Sequence, residues 1–374
     1  GSGWDLAAIE PAGLPAVRLE PMRRLIGRHH LSDEDMVAFQ RANLLDPAAP
    51  NPSVETLLHA FLPHKFVDHT HANAILSLTD QPGGAELCAR AFGDRAALVP
   101  YIMPGFALAK KVAAAYAAAP HCESVIALKH GVFTFGETAQ EAYGRMIAVV
   151  SAAEAQLRRG RRRVFAGTAM RARIAPIAAV APIVRGACAL ADSAAEGAWQ
   201  RLILEFRSGP AIRAYLDGDE LGRYSQAGVV TPDHVIRTKR LPLIVPPPRA
   251  ARLDDFAAAA RTAVTGYART YLRYFARHNA AAKPKKVALD PMPRVVLVPA
   301  LGLFGLGTSA KAARVAADIA ENTVEVVTGA ESVGRFRSIT PAQTFAMEYW
   351  SLEQAKLGKA TEKPLQRHVV VVTG

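Results

Sequence analysis

Residues 125–142 read VIALKHGVFTFGETAQEA, and this stretch contains the clearest structural pattern in the chain. An apolar run over 125–128 predicts a buried strand, and a second run over 132–135 predicts another strand after a short turn. Thr138 and Glu141 have the spacing of a capping box, which predicts a helix directly after the second strand. Strands and helices alternate closely in the same way through the N-terminal part of the chain, so we expect an α/β domain.

The composition is that of an ordinary globular protein. Of the 374 residues, 50% are hydrophobic and 21% are charged, which excludes collagen-like and disordered chains. The longest apolar run, residues 174–190, is interrupted by two prolines and an arginine, and a membrane helix needs roughly 20 uninterrupted apolar residues. The three cysteines are widely spaced and form no disulfide or metal-binding pattern. We therefore expect a cytoplasmic protein with no membrane partner.

The net charge of +12 raises the question of a nucleic-acid partner. The densest basic run lies at 158–163, where only Phe165 offers an aromatic ring nearby, whereas nucleic-acid sites interleave basic and stacking aromatic residues. We interpret the run as a solvated helix end or loop, and we expect no nucleic-acid partner. A basic surface instead favours an anionic small molecule, such as a sugar phosphate.

Three of the eleven histidines fall at the ends of predicted strands. His69 and His71 are two residues apart, so on a strand both side chains leave the same face, with Cβ atoms roughly 6.5 to 7 Å apart. Two imidazoles at that separation can converge on one cation, and His130, at the end of the next clear strand, can supply a third ligand. A catalytic zinc usually has three protein ligands and one open position, so the pattern predicts a divalent-metal site.

Two other interpretations of the histidine pair at 69–71 stay open at this stage. Two histidines on one strand are often ordinary half-buried polar residues. The same pair occurs in metal-dependent amidohydrolases, which need further histidines and an aspartate on later strands. Only His234, His278 and His368 follow His130, and two of them lie at a helix end or in the C-terminal tail. The amidohydrolase interpretation therefore fits poorly.

Three segments resemble the active-site segments of the class II aldolase/adducin family, in the same order and at similar spacing. They are residues 52–55, 69–71 and 128–136. Within that family, the closest likeness is to the aldolase part of bifunctional rhamnulose-1-phosphate aldolase/short-chain dehydrogenase proteins. This likeness spans essentially the whole chain and includes residues 65–74, 231–239, 293–307 and 347–374.

The resemblance implies a three-layer α/β/α fold around a mostly antiparallel central sheet. It implies that His69, His71 and His130 bind Zn²⁺ or another divalent transition metal, and that Glu55 acts as the acid/base. As a plain alternative, an acid such as Glu55 in the first turn of a helix stabilises the helix dipole by about 0.3 to 1 kcal/mol. Members of the family often form oligomers, so we expect a homo-oligomer.

The activity implied is cleavage of rhamnulose 1-phosphate into dihydroxyacetone phosphate and lactaldehyde by a class II, metal-dependent aldolase. Three alternatives stay open. They are a ribulose-phosphate 4-epimerase with the same metal site, a non-catalytic scaffold like adducin, and a fusion whose activity belongs to a short-chain dehydrogenase domain. A scaffold has no use for a metal triad, so the three histidines together with Glu55 favour catalysis.

The chain departs from the family at its N-terminus, where phosphate-binding loops are expected. The glycine- and asparagine-rich loop has no counterpart, and Ser2 with Gly3 resembles the remainder of a second loop. Backbone N–H groups in such loops bind phosphate, so Ser2 and Gly3 are the candidate phosphate-binding residues. We expect the incomplete loop to weaken substrate binding more than metal binding.

The predicted domain organisation has three parts. Residues 1–248 form an aldolase-like domain with a helical insertion at about 151–225, and a triple proline at 246–248 ends this domain. Residues 249–362 form a connector region. Residues 363–374 contain four consecutive valines before Thr-Gly, which is typical of the first strand of a dinucleotide-binding domain. We interpret the chain as a fragment in which NAD would bind only through a missing C-terminal domain, and we see no internal repeat.

Overall fold

The chain folds as an α/β protein with two compact units. The computed structural model describes residues 4, 8–160, 165, 173–192, 196–357 and 366–373. Unit 1 is residues 1–79 with 83–158, and unit 2 is residues 80–82 with 159–374. Each unit contains one four-stranded, mostly antiparallel sheet. The predicted α/β class with a mostly antiparallel sheet is therefore confirmed, and such a sheet occurs in each of the two units.

The sheet of unit 1 carries the stretch that opened the sequence analysis. Its strands are β1 (Phe66–Thr70), β2 (Ala96–Val99), β3 (Ser124–Ala127) and β4 (Gly131–Gly136). In the order β1-β4-β3-β2, β4 is antiparallel to both β1 and β3, and β2 is parallel to β3. Every residue of β3 and β4 is buried, which is why their sequences are almost continuously apolar.

Two helices of unit 1 start at side-chain caps. The helices are α1 (Leu19–Arg24), α2 (Asp33–Ala42), α3 (Thr56–Phe61), α4 (Asn73–Thr79), α5 (Gly84–Phe92), α6 (Phe106–Ala118) and α7 (Ala139–Arg158). The Ser32 hydroxyl accepts the Asp35 N–H at 3.1 Å at the start of α2. The Thr138 hydroxyl accepts the Glu141 N–H at 3.1 Å before α7, which packs against β4. The predicted strand–turn–helix unit is therefore confirmed.

Unit 2 contains a short hairpin and a second four-stranded sheet. The hairpin pairs β5 (Leu190–Ala191) with β6 (Trp199–Gln200), and the sheet consists of β7 (Ile203–Arg207), β8 (Leu243–Ile244), β9 (Val295–Val298) and β10 (Gly302–Gly307). In the order β7-β10-β9-β8, β10 is antiparallel to β7 and β9, and β8 is parallel to β9.

The helices of unit 2 enclose an apolar core on this sheet. They are α8 (Ile177–Ala187), α9 (Pro210–Leu216), α10 (Leu221–Tyr224), α11 (Val235–Thr238), α12 (Leu253–Asn279), α13 (Ala310–Val333), α14 (Pro341–Glu348) and α15 (Ser351–Gln354). Val184 of α8, Phe256 of α12 and Val296 of β9 belong to one buried cluster with Phe304 of β10. Their burial holds α8 and α12 against the sheet.

Unit 2 repeats the sheet topology of unit 1, so the expectation of no internal repeat is wrong. Both sheets have the same strand order and the same directions along it. The turn before β4 holds Lys129 at φ 61°, and the turn before β10 holds Ala300 at φ 64°. Ser309 caps α13 after β10, in the way that Thr138 caps α7 after β4. The repeat lies in the pairing of strands that are distant in the chain, which local sequence patterns do not specify.

The observed boundary between the units falls near residue 158, not at the predicted 248. The reason is that β8 and β9 pair with each other across the triple proline at 246–248. The segment predicted as a helical insertion, 151–225, contributes an outer strand of the second sheet, and the predicted connector, 249–362, contributes two further strands. Local sequence patterns did not reveal this long-range pairing.

The C-terminal valines at 369–372 are exposed and form no strand in the described chain. Their assignment to a further dinucleotide-binding domain stays a prediction. Among the described residues, no helix is both long enough and apolar enough to span a bilayer. Cys88, Cys122 and Cys188 are all buried free thiols, as expected from their spacing.

Candidate metal centre

The pairing of β1 with β4 brings three histidines to one end of the unit 1 sheet. His69 lies opposite Phe133 in the antiparallel register, and His71 follows the last residue of β1. His130 directly precedes β4, and its N–H donates to the Ala127 carbonyl at 3.1 Å across the β3–β4 turn. Lys129, with its positive φ, makes this tight turn possible.

Glu55 reaches the same place from the start of α3. The Ser53 hydroxyl accepts the Glu55 N–H at 3.2 Å, and the Ser53 carbonyl accepts the Thr56 N–H at 3.0 Å. This turn aims the Glu55 carboxylate at the histidines. Its Oε1 lies 2.9 Å from His130 Nε2 and 3.5 Å from His69 Nε2.

The four side chains form a compact set of metal-binding atoms. The ligand atoms of Glu55, His69, His71 and His130 all lie within 4.8 Å of one another. His69 Nδ1 lies 2.9 Å from the Val132 carbonyl, so Nδ1–H donates to this oxygen and Nε2 faces the other members of the cluster. His69 Nε2 and His71 Nε2 are 3.1 Å apart. Three imidazoles and a carboxylate are the donor types of catalytic zinc sites, so these residues fit a divalent transition metal.

The electrostatics of the cluster keep Glu55 ionised. Burial raises the pKa of Glu55, but the hydrogen bonds to His130 and His69 outweigh this effect and hold the pKa well below its usual range. The side chain of Glu55 is 22% exposed, whereas that of His130 is 3% exposed. An anionic carboxylate therefore stands on the accessible side of the cluster, and the imidazole nitrogens lie behind it.

Two neighbouring residues hold the histidines in place. The His69 ring stacks on Phe133 with centroids 4.0 Å apart and planes at 7°. A Cβ on Gly131 would lie 2.5 Å from the Thr70 carbonyl oxygen and 2.9 Å from both His69 and His71. Neither role was predicted from the sequence. The only signal was a glycine directly after His130 and an aromatic residue two positions later.

We expect Gly131→Ala to lower metal affinity by at least about tenfold, because the added methyl group displaces two ligands. Such crowding also destabilises the fold by about 1–3 kcal/mol. Gly144→Ala in α7 is the matched control, since a Cβ there meets no heavy atom within 4 Å. Metal titration and thermal unfolding of the two variants test this. Wild-type metal affinity in Gly131→Ala would show that the cluster tolerates the shift.

Comparison with known families agrees with this geometry. Residues 1–157 match the class II aldolase and adducin N-terminal domain, and residues 175–357 match the aldolase class II, second domain. The chain belongs to the class II aldolase family. The two matched regions correspond to units 1 and 2, so both units of the chain are accounted for by the family.

Two individual proteins are similar to this chain. One is an uncharacterized oxidoreductase, YuxG, of Bacillus subtilis, which is 32% identical over 383 residues. The match covers 100% of this chain and 54% of that protein, so the chain spans about half the length of its curated relative. The other is the structure of the N-terminal class II aldolase domain of a conserved protein from Thermoplasma acidophilum. It is 40% identical, covers 41% of this chain and 71% of that chain, and has a TM-score of 0.39.

The sheet of unit 2 has other residues at the positions of the candidate metal ligands. Phe304 of β10 pairs with Phe206 as Phe133 pairs with His69. By the same register, Ser208 stands in the place of His71 and Leu301 in the place of His130. Unit 2 therefore repeats the backbone of the centre without its imidazoles.

Ser2 and Gly3 fall outside the described residues, so their predicted contact with phosphate stays a prediction. Two further histidines, His121 and His234, do not belong to the described cluster. His121 is exposed, and the neighbouring Glu123 pairs with Arg95 at 2.7 Å. His234 is a partly buried residue of unit 2, where burial lowers the pKa of its imidazole.

Proposed function

We propose that the protein cleaves a ketose 1-phosphate, namely rhamnulose 1-phosphate, into dihydroxyacetone phosphate and lactaldehyde. The convergence of three imidazoles and one ionised carboxylate within 4.8 Å carries the proposal. Membership of the class II aldolase family supports an aldolase-type, metal-dependent reaction. The sugar itself rests on the resemblance of the sequence to rhamnulose-1-phosphate aldolases.

His69, His71 and His130 would hold the cation, with Zn²⁺ as the first choice for imidazole ligands. Bound there, a divalent ion supplies Lewis acidity to the ketose carbonyl. Residues of the protein itself orient the metal-binding histidines. Stacking on Phe133 and the hydrogen bond to the Val132 carbonyl fix the His69 ring and its tautomer, as partners of metal ligands commonly do.

Glu55 is the residue that moves the proton. As an anion on the accessible side of the cluster, it accepts the proton of the C4 hydroxyl while the C3–C4 bond breaks. The bonding electrons pass to the C2 carbonyl, and C4 leaves as the aldehyde. Glu55 then returns the proton to C3, so the carboxylate ends the cycle ionised as it began.

Other features fit a small anionic substrate. The net charge of +12 favours a sugar phosphate over a neutral sugar. We propose that Ser2 and Gly3 contribute backbone N–H groups to the phosphate site. A homo-oligomer remains part of the proposal.

One observation favours a second candidate function for a longer protein. The Bacillus subtilis relative is named an oxidoreductase, and this chain matches only 54% of it. Under this proposal, hydride transfer with NAD belongs to the unmatched half. An adducin-like scaffold would need neither the triad nor the low pKa of Glu55.

The first test is the metal content of the wild type, of His71→Ala and of His121→Ala. We expect about one transition-metal ion per chain in the wild type, because three protein ligands define one site. His71→Ala should lose the ion, and His121→Ala should retain it because His121 is exposed and outside the cluster. Elemental analysis of the folded proteins measures this. Equal metal in all three proteins would contradict the site.

The second test is product analysis with the metal-loaded protein. Dihydroxyacetone phosphate and lactaldehyde released from rhamnulose 1-phosphate would support the aldolase. Conversion of ribulose 5-phosphate to its C4 epimer would identify an epimerase with the same metal site. Bound metal without either reaction would contradict the proposed substrate, whereas a folded protein that binds no metal would favour the scaffold.

A further inference from the structure

Unit 2 contains a cavity that the aldolase chemistry does not use. Its volume is about 350 Å³, which lies within the range of small-molecule sites. One wall is the segment around β8, including Leu243 and Ile244. The other wall is a single face of α12, on which Ala263, Gly266, Tyr267, Thr270, Tyr271 and Tyr274 recur at helical spacing.

The walls are mostly apolar, and Arg240 is the charged side chain on them. Nε of Arg240 has no hydrogen-bond partner among the described residues, whereas the Tyr274 hydroxyl has the Glu348 carboxylate as its partner. The Arg240 guanidinium lies 5.8 Å from the centroid of the Tyr274 ring. A buried donor without an acceptor is costly, so the Arg240 guanidinium on the cavity wall marks the position of an acceptor from outside the chain.

The residue before Arg240 has an unusual backbone. Lys239 has φ 61° and ψ 172°, a region that is essentially reserved for glycine. This conformation turns the Lys239 side chain into the interior, where it is 5% exposed, and leaves Arg240 on the cavity wall. Strain of this kind is concentrated at functional sites, because the surrounding structure must hold it in place.

The charges around the cavity leave one positive charge unmatched. Lys239 Nζ lies 3.8 Å from the Glu348 carboxylate, and the Tyr271 hydroxyl donates to that carboxylate at 2.8 Å. Arg240 has no carboxylate oxygen within 4.0 Å among the described residues of unit 2. Two cations therefore share one anion, and the excess charge lies on the residue that lines the cavity.

We propose that this cavity binds a small organic monocarboxylate with an aromatic or branched apolar body. Its carboxylate accepts from the Arg240 guanidinium, and its body lies against Leu243, Ile244 and the tyrosine rings. Guanidinium and carboxylate match in geometry. A phosphate ester is a dianion and carries one more negative charge than Arg240 neutralises. In the cavity this extra charge would lie close to the Glu348 carboxylate, which would repel it.

The experiment uses the whole chain and three carboxylate probes: 2-naphthoate, 3-phenylpropionate and 4-methylpentanoate. Titration calorimetry of each is compared with 2-naphthalenemethanol as the neutral counterpart and 2-naphthyl phosphate as the dianion. At least one carboxylate should bind once per chain, more tightly than its neutral and dianionic counterparts. Absence of saturable binding by all three carboxylates would overturn the proposal, as would equal binding of the alcohol or the phosphate.

Two variants place the binding in the cavity. Arg240→Gln should weaken carboxylate binding by about tenfold or more, because it removes a charged hydrogen-bond donor. Gly266→Leu should abolish binding by filling the cavity, since a Cβ at Gly266 meets no heavy atom within 4 Å and the fold accepts it. Gly144→Leu, another open helical position in unit 1, is the matched control and should bind as the wild type does. Unchanged binding in both cavity variants would place the ligand elsewhere. Metal content should stay at the wild-type level throughout.

Discussion

Glu55→Gln should lower the rate of ketose 1-phosphate cleavage by about 10²- to 10⁴-fold, which is the usual contribution of a positioned acid/base. Glutamine keeps the shape of the side chain and the turn that Ser53 forms with Glu55. It cannot accept the substrate proton, and it removes the anion that the hydrogen bonds to His130 and His69 hold in place. The measurement is kcat/KM with the metal-loaded enzymes.

Metal content decides what a loss of activity in Glu55→Gln means. If the variant keeps its metal and loses activity, Glu55 acts on the substrate. If metal and activity are lost together, Glu55 serves chiefly as a ligand, and the proton must move through another group. Glu154→Gln is the control, because Glu154 is an exposed residue of α7 that pairs with Arg158. It should have wild-type activity.

The sequence was sufficient for the local parts of the candidate centre. The apolar runs before and after His130 predicted β3 and β4, because buried strands are recognisable over a few residues. The spacing of His69 and His71 predicted that both would face one ion, and their Nε2 atoms are 3.1 Å apart in the structure. Both inferences depend only on the periodicity of a strand.

The position of Glu55 did not follow from any local pattern. It lies 75 residues before His130 in the chain and joins it only because α3 packs at the end of the sheet. Sequence reasoning found Glu55 through the family resemblance alone. The supporting roles of Gly131 and Phe133 depend on contacts between side chains, which strand periodicity does not specify.

The second sheet was missed for a related reason. Leu303 of β10 pairs with Arg207 of β7 across nearly a hundred residues, and the intervening chain is rich in helices. In both units a residue with positive φ precedes the strand, β4 or β10, and a side-chain cap follows it at the start of the next helix. The positions that correspond to the imidazoles hold Phe206, Ser208 and Leu301 in unit 2. The features that the two units share here are therefore features of the backbone.

Glu348→Ala should destabilise the protein by about 3–5 kcal/mol, because it leaves Lys239 buried without its carboxylate. Glu348 is 0% exposed and Lys239 is 5% exposed, so water cannot replace the lost partner. The double variant Lys239→Met/Glu348→Leu should recover most of this loss, since replacing both charges of a buried pair by apolar groups is often neutral. Tyr271 keeps the hydroxyl of Tyr349 at 2.6 Å as a partner in both variants. Denaturant unfolding measures the free energy of unfolding of the wild type, of Glu348→Ala and of the double variant.

The loss of unfolding free energy caused by Glu348→Ala should become smaller as pH rises from 6 to 9. Burial lowers the pKa of Lys239 to about 8 in the folded wild type, against 10.5 as its ordinary value, and removing Glu348 lowers it further. The unfolded chain then binds more protons at Lys239 than the folded variant does, so the stability of the variant rises with pH in this window. The buried thiols titrate equally in both proteins, so their contributions cancel in the difference between the two unfolding free energies. A loss that is constant with pH, or a double variant as unstable as Glu348→Ala, would show that Glu348 acts through its hydrogen bond to Tyr271 and not through its charge.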